Sequence, residues 1–373
     1  MSKFDLNLKI HPSSLVEEVL NKKTVSPYLL LKKRLKLGTN WKESYFNWGR
    51  NALYYLFQSL PYKTITFPGF TCPTLVKSAE KAGKKIILTE VNLDTFNLDI
   101  EKIPINTQCL VVIHTFGNPV DISQIRKKVK KVFIIEDCAH ALFSKVGKNF
   151  VGNKGSAILF SLYKQIPNIN GCLLLTKKKF IENQGGEDEL KYPKRLLIKT
   201  AGLHQNILDI KRRQYLPKIE TQKLNNYRPS KLSLFLFEKG FNRLGQEVAQ
   251  RKKVARWYYE EIKRNNLFIA QKPEENSSLS YYHFIIRLKP EFAPVRDKIV
   301  ASLRRGNIIV DRLWYKAPIA QKIYSSFLKK CPKALLLSKT VINLPISASY
   351  SREDVSYIFR KLNLAIRSVK QDE

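Results

Sequence analysis

Glu136-Asp137-Cys138-Ala139-His140 closes the apolar run Lys131–Ile135, and Phe160-Ser161-Leu162-Tyr163-Lys164 and Asn170-Gly171 follow further along the chain. A β-branched run that ends on an acidic pair sets a carboxylate at the C-terminal edge of a parallel sheet. That edge is where α/β enzymes bind cofactors. There Asp137 could pair with a cationic ring nitrogen, and the Lys164 amine could attack a carbonyl carbon. An Asp at a strand end also serves as a helix N-cap, so the wider order of motifs has to decide between the two.

Three further stretches have chemical potential. Trp48-Gly49-Arg50-Asn51-Ala52-Leu53 opens a helix, and a Gly ahead of polar residues leaves backbone N–H groups able to cradle phosphate. A plain helix cap looks the same. Phe70, within Thr66–Thr74, follows a strand and could cover one face of a cofactor ring, although an aromatic there also suits the core. His114 ends another strand, just before the turn Gly117-Asn118-Pro119. It could orient a substrate, or be a hydrogen-bonded structural histidine.

The elements that must position these residues alternate. Ala52–Leu60 reads as a helix, Thr64–Phe67 as a strand, Cys72–Ala82 as a helix and Lys85–Leu88 as a strand. Strands Gln108–Ile113 and Val132–Ile135 flank the helical stretch Ile122–Val129, and strands Ala157–Phe160 and Gly171–Leu175 follow. Such alternation with short loops predicts parallel strands with right-handed crossovers, hence an α/β sheet covered on both faces. The polar segment 181–225 reads as a long loop with helical pieces. Helical spacing resumes over Lys231–Arg264. A strand Tyr281–Leu288, a helix Pro294–Arg305 with Gly306 at C′, a strand Ile308–Val310 and a closing helix at 351–368 then make a small α+β unit. The expected division is an N-terminal arm at 1–39, a large domain at 40–250 and a small domain at 251–373.

Composition narrows the class. At 373 residues the chain is comfortable for two domains, and 44% apolar with 11% aromatic residues supplies a sizeable core. No apolar run reaches the roughly 20 residues of a membrane span, and the start lacks the pattern of a secretory signal. Cysteines 72, 109, 138, 172 and 331 show neither paired nor metal-ligand spacing, as expected of reduced thiols in a cytoplasm. Lys plus Arg number 66 against 31 Asp plus Glu, a net of +35. These charges are spread along the chain in short clusters such as Lys127–Lys131 and Arg251–Lys253. They read as a solvated lysine-rich surface with non-specific affinity for polyanions rather than a nucleic-acid module.

Taken in order, the motifs resemble the DegT/DnrJ/StrS family of pyridoxal-phosphate sugar aminotransferases over roughly residues 40–370. The resemblance rests on Gly49–Leu53, Pro68-Gly69-Phe70-Thr71, Asp94–Asp99, His114–Pro119 and Glu136–His140. It continues through Gly152-Asn153-Lys154-Gly155, Phe160-Ser161, Asn226–Ser230 and Asn343-Leu344-Pro345. It implies a fold-type-I transferase, with a large, mostly parallel sheet domain and a smaller α+β domain, and pyridoxal 5′-phosphate as cofactor. Asp137 would pair with the pyridine nitrogen, His140 would pack near the ring's phenolic oxygen, and Phe70 is the aromatic candidate for the ring face. Ser161 and the amides of Gly49, Arg50 and Asn51 would hold the phosphate, while Asn226 would reach the site of a neighbouring subunit in a homodimer.

One departure stands out. The family spaces its lysine five residues after the serine, where this chain has Ile166. Counting back from Gly171 instead places Lys164 at the family's distance, which implies a two-residue deletion and makes Lys164 the Schiff-base lysine. Two other positions also differ: Cys72 where the family often has an aromatic, and Asn170 where it has an acid. The implied activity is transfer of an amino group, from glutamate, to a keto-sugar nucleotide, with basic residues of 181–225 as candidates for its diphosphate. A pyridoxal- or pyridoxamine-dependent sugar dehydratase and a catalytically silent, polyanion-binding homodimer are the alternatives.

Overall fold

The computed structural model describes residues 24–178, 224–264 and 267–371. Its elements in chain order begin with α1 Pro27–Leu35, β1 Lys42–Phe46, α2 Gly49–Ser59, β2 Thr64–Pro68, α3 Pro73–Lys81, β3 Lys85–Thr89 and β4 Cys109–Ile113. There follow α4 Ile122–Lys128, β5 Phe133–Asp137, β6 Lys145–Val146, β7 Asn149–Phe150, β8 Ala157–Ser161 and β9 Cys172–Thr176. The second half has α5 Lys231–Lys263, β10 Phe268–Ala270, β11 Ser277–Ser278, β12 Phe284–Leu288, α6 Arg296–Arg305, α7 Pro332–Thr340, β13 Val341–Leu344 and α8 Arg352–Gln371.

Seven strands form one sheet in the order β1-β9-β8-β5-β4-β2-β3. The strands β3, β2, β4, β5 and β8 run parallel, so the mostly parallel sheet expected from the alternation is present. β4, β8 and β9 are buried along their whole length, as strands covered on both faces must be. The stretch Gly171–Leu175 departs from the parallel pattern. As β9 it returns antiparallel to β8, because the connection over 162–171 holds no helix and a parallel return needs a longer crossover. β1, which the sequence pattern did not reveal, closes the sheet antiparallel to β9.

The second half builds the antiparallel sheet β10-β12-β13, on which α5, α6 and α8 bury a separate core. The expected boundary at 250 falls inside α5. Its residues Phe237, Phe241, Leu244 and Val248 pack beside β8 and β9, whereas Val254, Ala255 and Tyr258 belong to the second core. The segment from Trp314 to Val341 also returns to pack on the first core, around Phe70 and Leu75. α1, within the expected arm, buries Leu31 and Leu35 against the same α5 face. The expected loop at 181–225 lies almost wholly outside the described residues.

Three local expectations change. The strand read at Tyr281–Leu288 starts only at Phe284, because Tyr281 takes a positive φ of 50° and turns the chain. Gly306 is the C-cap of α6 with an ordinary φ of −77°, and Asn307, at φ 59°, takes the left-handed position that an asparagine tolerates. Ile308–Val310 forms no strand. Arg304 Nε takes the Val310 carbonyl at 2.9 Å, leaving one bridge, Asp311 to Asn343.

The turn between β8 and β9 is pinned to α5 at close range. Ile166 is 2% exposed, and a Cβ on Gly240 of α5 would overlap its Cγ2 atom. In a free helix Gly→Ala gains up to about 1 kcal/mol. Here the neighbour is a β-branched side chain that cannot swing away, and overpacking costs about 1–3 kcal/mol. Gly240→Ala is therefore expected to lower the thermal midpoint, and Ile166→Ala in the same chain to recover part of the loss. A rise in the Gly240→Ala midpoint would contradict this packing.

Candidate active site

β5 ends on two adjacent carboxylates that the pleat sends to opposite faces. Glu136 turns away from the site. It accepts backbone N–H bonds from Gly152 at 2.6 Å, Gly155 at 2.7 Å and Lys154 at 3.1 Å, and lies 3.2 Å from His114 Nε2. His114 Nδ1 accepts from Val120 N at 2.9 Å, so the ring proton sits on Nε2 and is donated to Glu136. Burial alone would raise the Glu136 pKa, but His114 and these N–H groups outweigh it and hold the carboxyl below its usual range. A Cβ at Gly155 would stand 2.7 Å from Glu136 Cβ, which is why the Gly152–Gly155 loop can close over the carboxylate. His114 is thus a structural histidine. It forms, with Glu136 and Cys138, a buried trio whose ligating atoms lie within 4.8 Å. The carboxylate there is already taken by backbone donors that a metal would have to displace.

Asp137 faces the other way, 4% exposed, with its Oδ1 accepting the Ala139 N–H at 2.8 Å. Burial raises its pKa, and the charge of Lys164 is the largest influence in the opposite direction. Lys164 Nζ lies 2.9 Å from Nε2 of His140, three residues beyond Asp137. Burial, then Lys164 and His283, hold the His140 pKa well below its ordinary value, so the ring is neutral and accepts a hydrogen bond from the lysine amine. His140 lies between near-parallel rings: Tyr282 at 4.8 Å on one contact, Trp314 at 5.5 Å and Phe116 at 5.7 Å on others. Phe116 and Trp314 both hold positive φ, 57° and 64°, an uncommon state for large side chains. Phe70 is 1% exposed and stands edge-on to these two rings rather than beside His140.

The turn after Ser161 explains which lysine reaches the site. Gln165 Nε2 donates to the His140 carbonyl at 2.6 Å, and Asn168 Nδ2 donates to the carbonyls of Leu162 and Ser233, both at 2.9 Å. Ser233 Oγ donates to Asn170 Oδ1 at 2.9 Å. Ile166, at the family's usual lysine spacing, points into the core against Gly240, and Lys164 points at His140.

The N-terminus of α2 abuts the ends of β8 and β9. A Cβ on Gly49 would lie 3.5 Å from Leu159 and 3.9 Å from Cys172, the residue paired with Ser161. The Arg50 guanidinium sits 5.1 Å over Trp48, whose ring meets Tyr163 edge-on at 5.2 Å. Asn51 donates to Asn47 Oδ1 at 2.7 Å and Asn225 Oδ1 at 3.0 Å, and Asn47 N donates to the Tyr227 carbonyl at 2.7 Å. The segment that carries Asn226 thus reaches the α2 start of its own chain, where the resemblance implied a neighbouring subunit.

Two buried groups here have chemistry left over. Ser161 Oγ and His140 Nδ1 make no hydrogen bond within the protein, although buried polar atoms nearly always do. A phosphorylated pyridine ring suits such a set: an unpartnered hydroxyl beside a helix start could take phosphate, a buried carboxylate a ring nitrogen, and a lysine amine an aldehyde. The mostly parallel sheet that presents this set at its C-terminal edge is the fold of the fold-type-I transferases. The profile of the DegT/DnrJ/EryC1/StrS aminotransferase family matches residues 49–363, and the chain belongs to that family.

Individual relatives are distant. The chain is 24% identical over 312 residues to a GDP-perosamine synthase of Escherichia coli O157:H7, covering 80% of this chain and 78% of that one. It superposes with TM-score 0.73 on the Helicobacter pylori aminotransferase PseC, involved in pseudoaminic acid biosynthesis, at 19% identity over 95% of this chain and 96% of that one. A third likeness, TM-score 0.71 at 15% identity, covering 94% and 96%, is to the E. coli GDP-4-keto-6-deoxy-D-mannose-3-dehydratase solved with hydrated pyridoxal phosphate.

Sequence reading gave no role to Tyr282, His283 and Trp314, which come from distant or irregular segments and have no periodic signal, nor to Tyr163, although it adjoins Lys164. Among these, burial, Arg251 and Lys164 hold the His283 pKa down to about 4. A histidine depressed when folded keeps its full stability above its unfolded pKa, near 6.5, and loses it as pH falls toward the folded value. For His283 the loss between pH 7 and pH 5 is about 2 kcal/mol. Chemical denaturation at both pH values is expected to show His283→Gln losing correspondingly less stability than the wild type. Equal losses would mean that His283 is not held neutral.

Proposed function

We propose that the protein is a pyridoxal-phosphate-dependent aminotransferase that moves an amino group, from glutamate, onto a keto-sugar nucleotide, acting in the cytoplasm as a homodimer. The observation that carries this is the Lys164 amine, 2.9 Å from a neutral His140 and electrostatically tied to the buried Asp137. Support for the substrate class comes from relatives such as the GDP-perosamine synthase. Among the described residues no helix is long and apolar enough to cross a membrane.

Each residue has a task in this reading. Pyridoxal phosphate, when bound, supplies an electron sink for the carbon that gains or loses the amino group. Asp137 keeps the ring nitrogen protonated, and a bound cation there offsets the burial that otherwise favours its neutral carboxyl. Lys164 holds the cofactor and, once released, carries the proton to and from the reacting carbon. His140 accepts a hydrogen bond from that amine and, stacked between fixed rings, limits where it can swing. Ser161 Oγ and the α2 N-terminus hold the phosphate. The dehydratase alternative expected a vacant lysine position, and Lys164 at His140 weighs against it.

Lys164→Ala is expected to remove the near-visible absorbance and the borohydride-trappable bond to the cofactor, and to abolish transamination. Lys177→Ala and Lys178→Ala should leave all three unchanged. A trappable bond persisting in Lys164→Ala would sink the assignment. Asp137→Asn removes one partner of a buried ion pair, a cost of about 3–5 kcal/mol, and is expected to reduce cofactor retention or turnover by orders of magnitude with the fold intact. Unchanged turnover would leave Asp137 as a helix cap.

A further inference from the structure

The carbonyl oxygen of His140 is a buried junction. Gln165 Nε2 donates to it at 2.6 Å and Ser280 Oγ at 3.2 Å, and the same Gln165 nitrogen lies 3.2 Å from Ser280 Oγ. Ser280 N donates in turn to Ser144 Oγ at 3.0 Å, and Ser144 Oγ donates to the Gly117 carbonyl at 2.7 Å. His140, Gln165, Ser144 and Ser280 are all buried. A Cβ on Gly117 would stand 3.1 Å from the His140 oxygen, so the segment after Phe116 closes on the junction as well.

This junction joins the segments that wall in the His140 ring. Phe116 precedes Gly117 and Tyr282 follows Ser280 by two residues, and their rings stack on the imidazole at 5.7 and 4.8 Å. Gln165 adds the turn after β8. It follows Lys164 directly, and Lys164 Nζ lies 2.9 Å from His140 Nε2. Two consecutive side chains thus hold one residue at two points, its ring and its carbonyl. Gln165 Oε1 is buried without a hydrogen bond, a cost that an apolar side chain of the same length would avoid.

We propose that Gln165 is a positioning residue that sets His140 against Lys164. This rests on the aminotransferase reading and deepens it. Lys164 comes only three residues after Ser161, so its side chain leaves a tight turn rather than a longer loop. An amine on a flexible four-carbon stem is directed only if something fixed receives it. Nε2 of His140 is that receiver, and the Gln165 amide pins the receiver to the turn that carries the amine. An imidazole that accepts at Nε2 keeps its proton on Nδ1, so the tautomer of His140 reports the contact.

The test compares wild type, Gln165→Met and Gln165→Asn as full chains freed of cofactor. Gln165→Met matches the length of glutamine without its donor. Gln165→Asn keeps an amide in the hole on a stem one methylene short, which guards against a mere folding defect. The chain has five histidines, and the loss of one signal in His140→Phe identifies His140 in the nitrogen NMR spectrum. The wild type is expected to show His140 as the Nδ1–H tautomer, and both variants a mixture of tautomers. Added pyridoxal 5′-phosphate is expected to form its borohydride-trappable bond roughly tenfold more slowly in both variants. In a His140→Phe background the carbonyl that Gln165 holds is still present, so a purely structural cost would persist. The slowing caused by Gln165→Met is expected to vanish there. An unchanged tautomer in the variants, or equal slowing in the His140→Phe background, overturns the proposal. Absence of any trappable bond in the wild type sinks the aminotransferase reading instead, and the tautomer comparison, made without cofactor, keeps the two failures apart.

Discussion

Neighbouring side chains on a strand point to opposite faces, and the pair Glu136–Asp137 turns this rule into the plan of the site. Two adjacent carboxylates cannot be buried on one face without large mutual repulsion. Sent to opposite faces, each meets its own environment. Glu136 is surrounded by backbone N–H groups and His114, and so locks the Gly152–Gly155 loop and the start of β8 in place. Asp137 is left with one N–H bond and a lysine's charge, an incompletely compensated carboxylate at the open edge of the sheet. The structural member of the pair fixes β8, and β8 delivers Ser161 and Lys164 to the other member. Stability and chemistry thus share one dipeptide.

Much of this is legible in the sequence. The apolar run Lys131–Ile135 and its acidic end give the strand, its direction and its edge, because buried parallel strands read as uninterrupted apolar stretches. Strand and helix alternation gives the sheet, and the resemblance gives its family. The packing of the turn after Ser161 is not legible there: Ile166 occupies a tight hole against Gly240, and no sequence pattern reports the size of a hole on a helix far along the chain.

Other parts were not readable for identifiable reasons. β9 was found but not its direction, since periodicity is blind to whether a strand returns parallel or antiparallel. The ring wall of Phe116, Tyr282 and Trp314 comes from residues at irregular positions, two of them in positive-φ conformations that their side chains do not favour. Those conformations persist because the three rings and His140 fix one another, a property of the assembled core rather than of any local stretch.

The long helix α5 ties the two cores into one cooperative system. Its first half is held by Phe237, Phe241 and Leu244 against the large sheet, and its second by Val254 and Tyr258 against the small one. A helix in water without a packed face is marginal, so losing either core leaves half of α5 unsupported. That strain propagates along the shaft to the other half, and a chain that could have melted in two stages is driven toward one transition. The joint that might have been a flexible linker is instead the element through which each half of the molecule senses whether the other is folded.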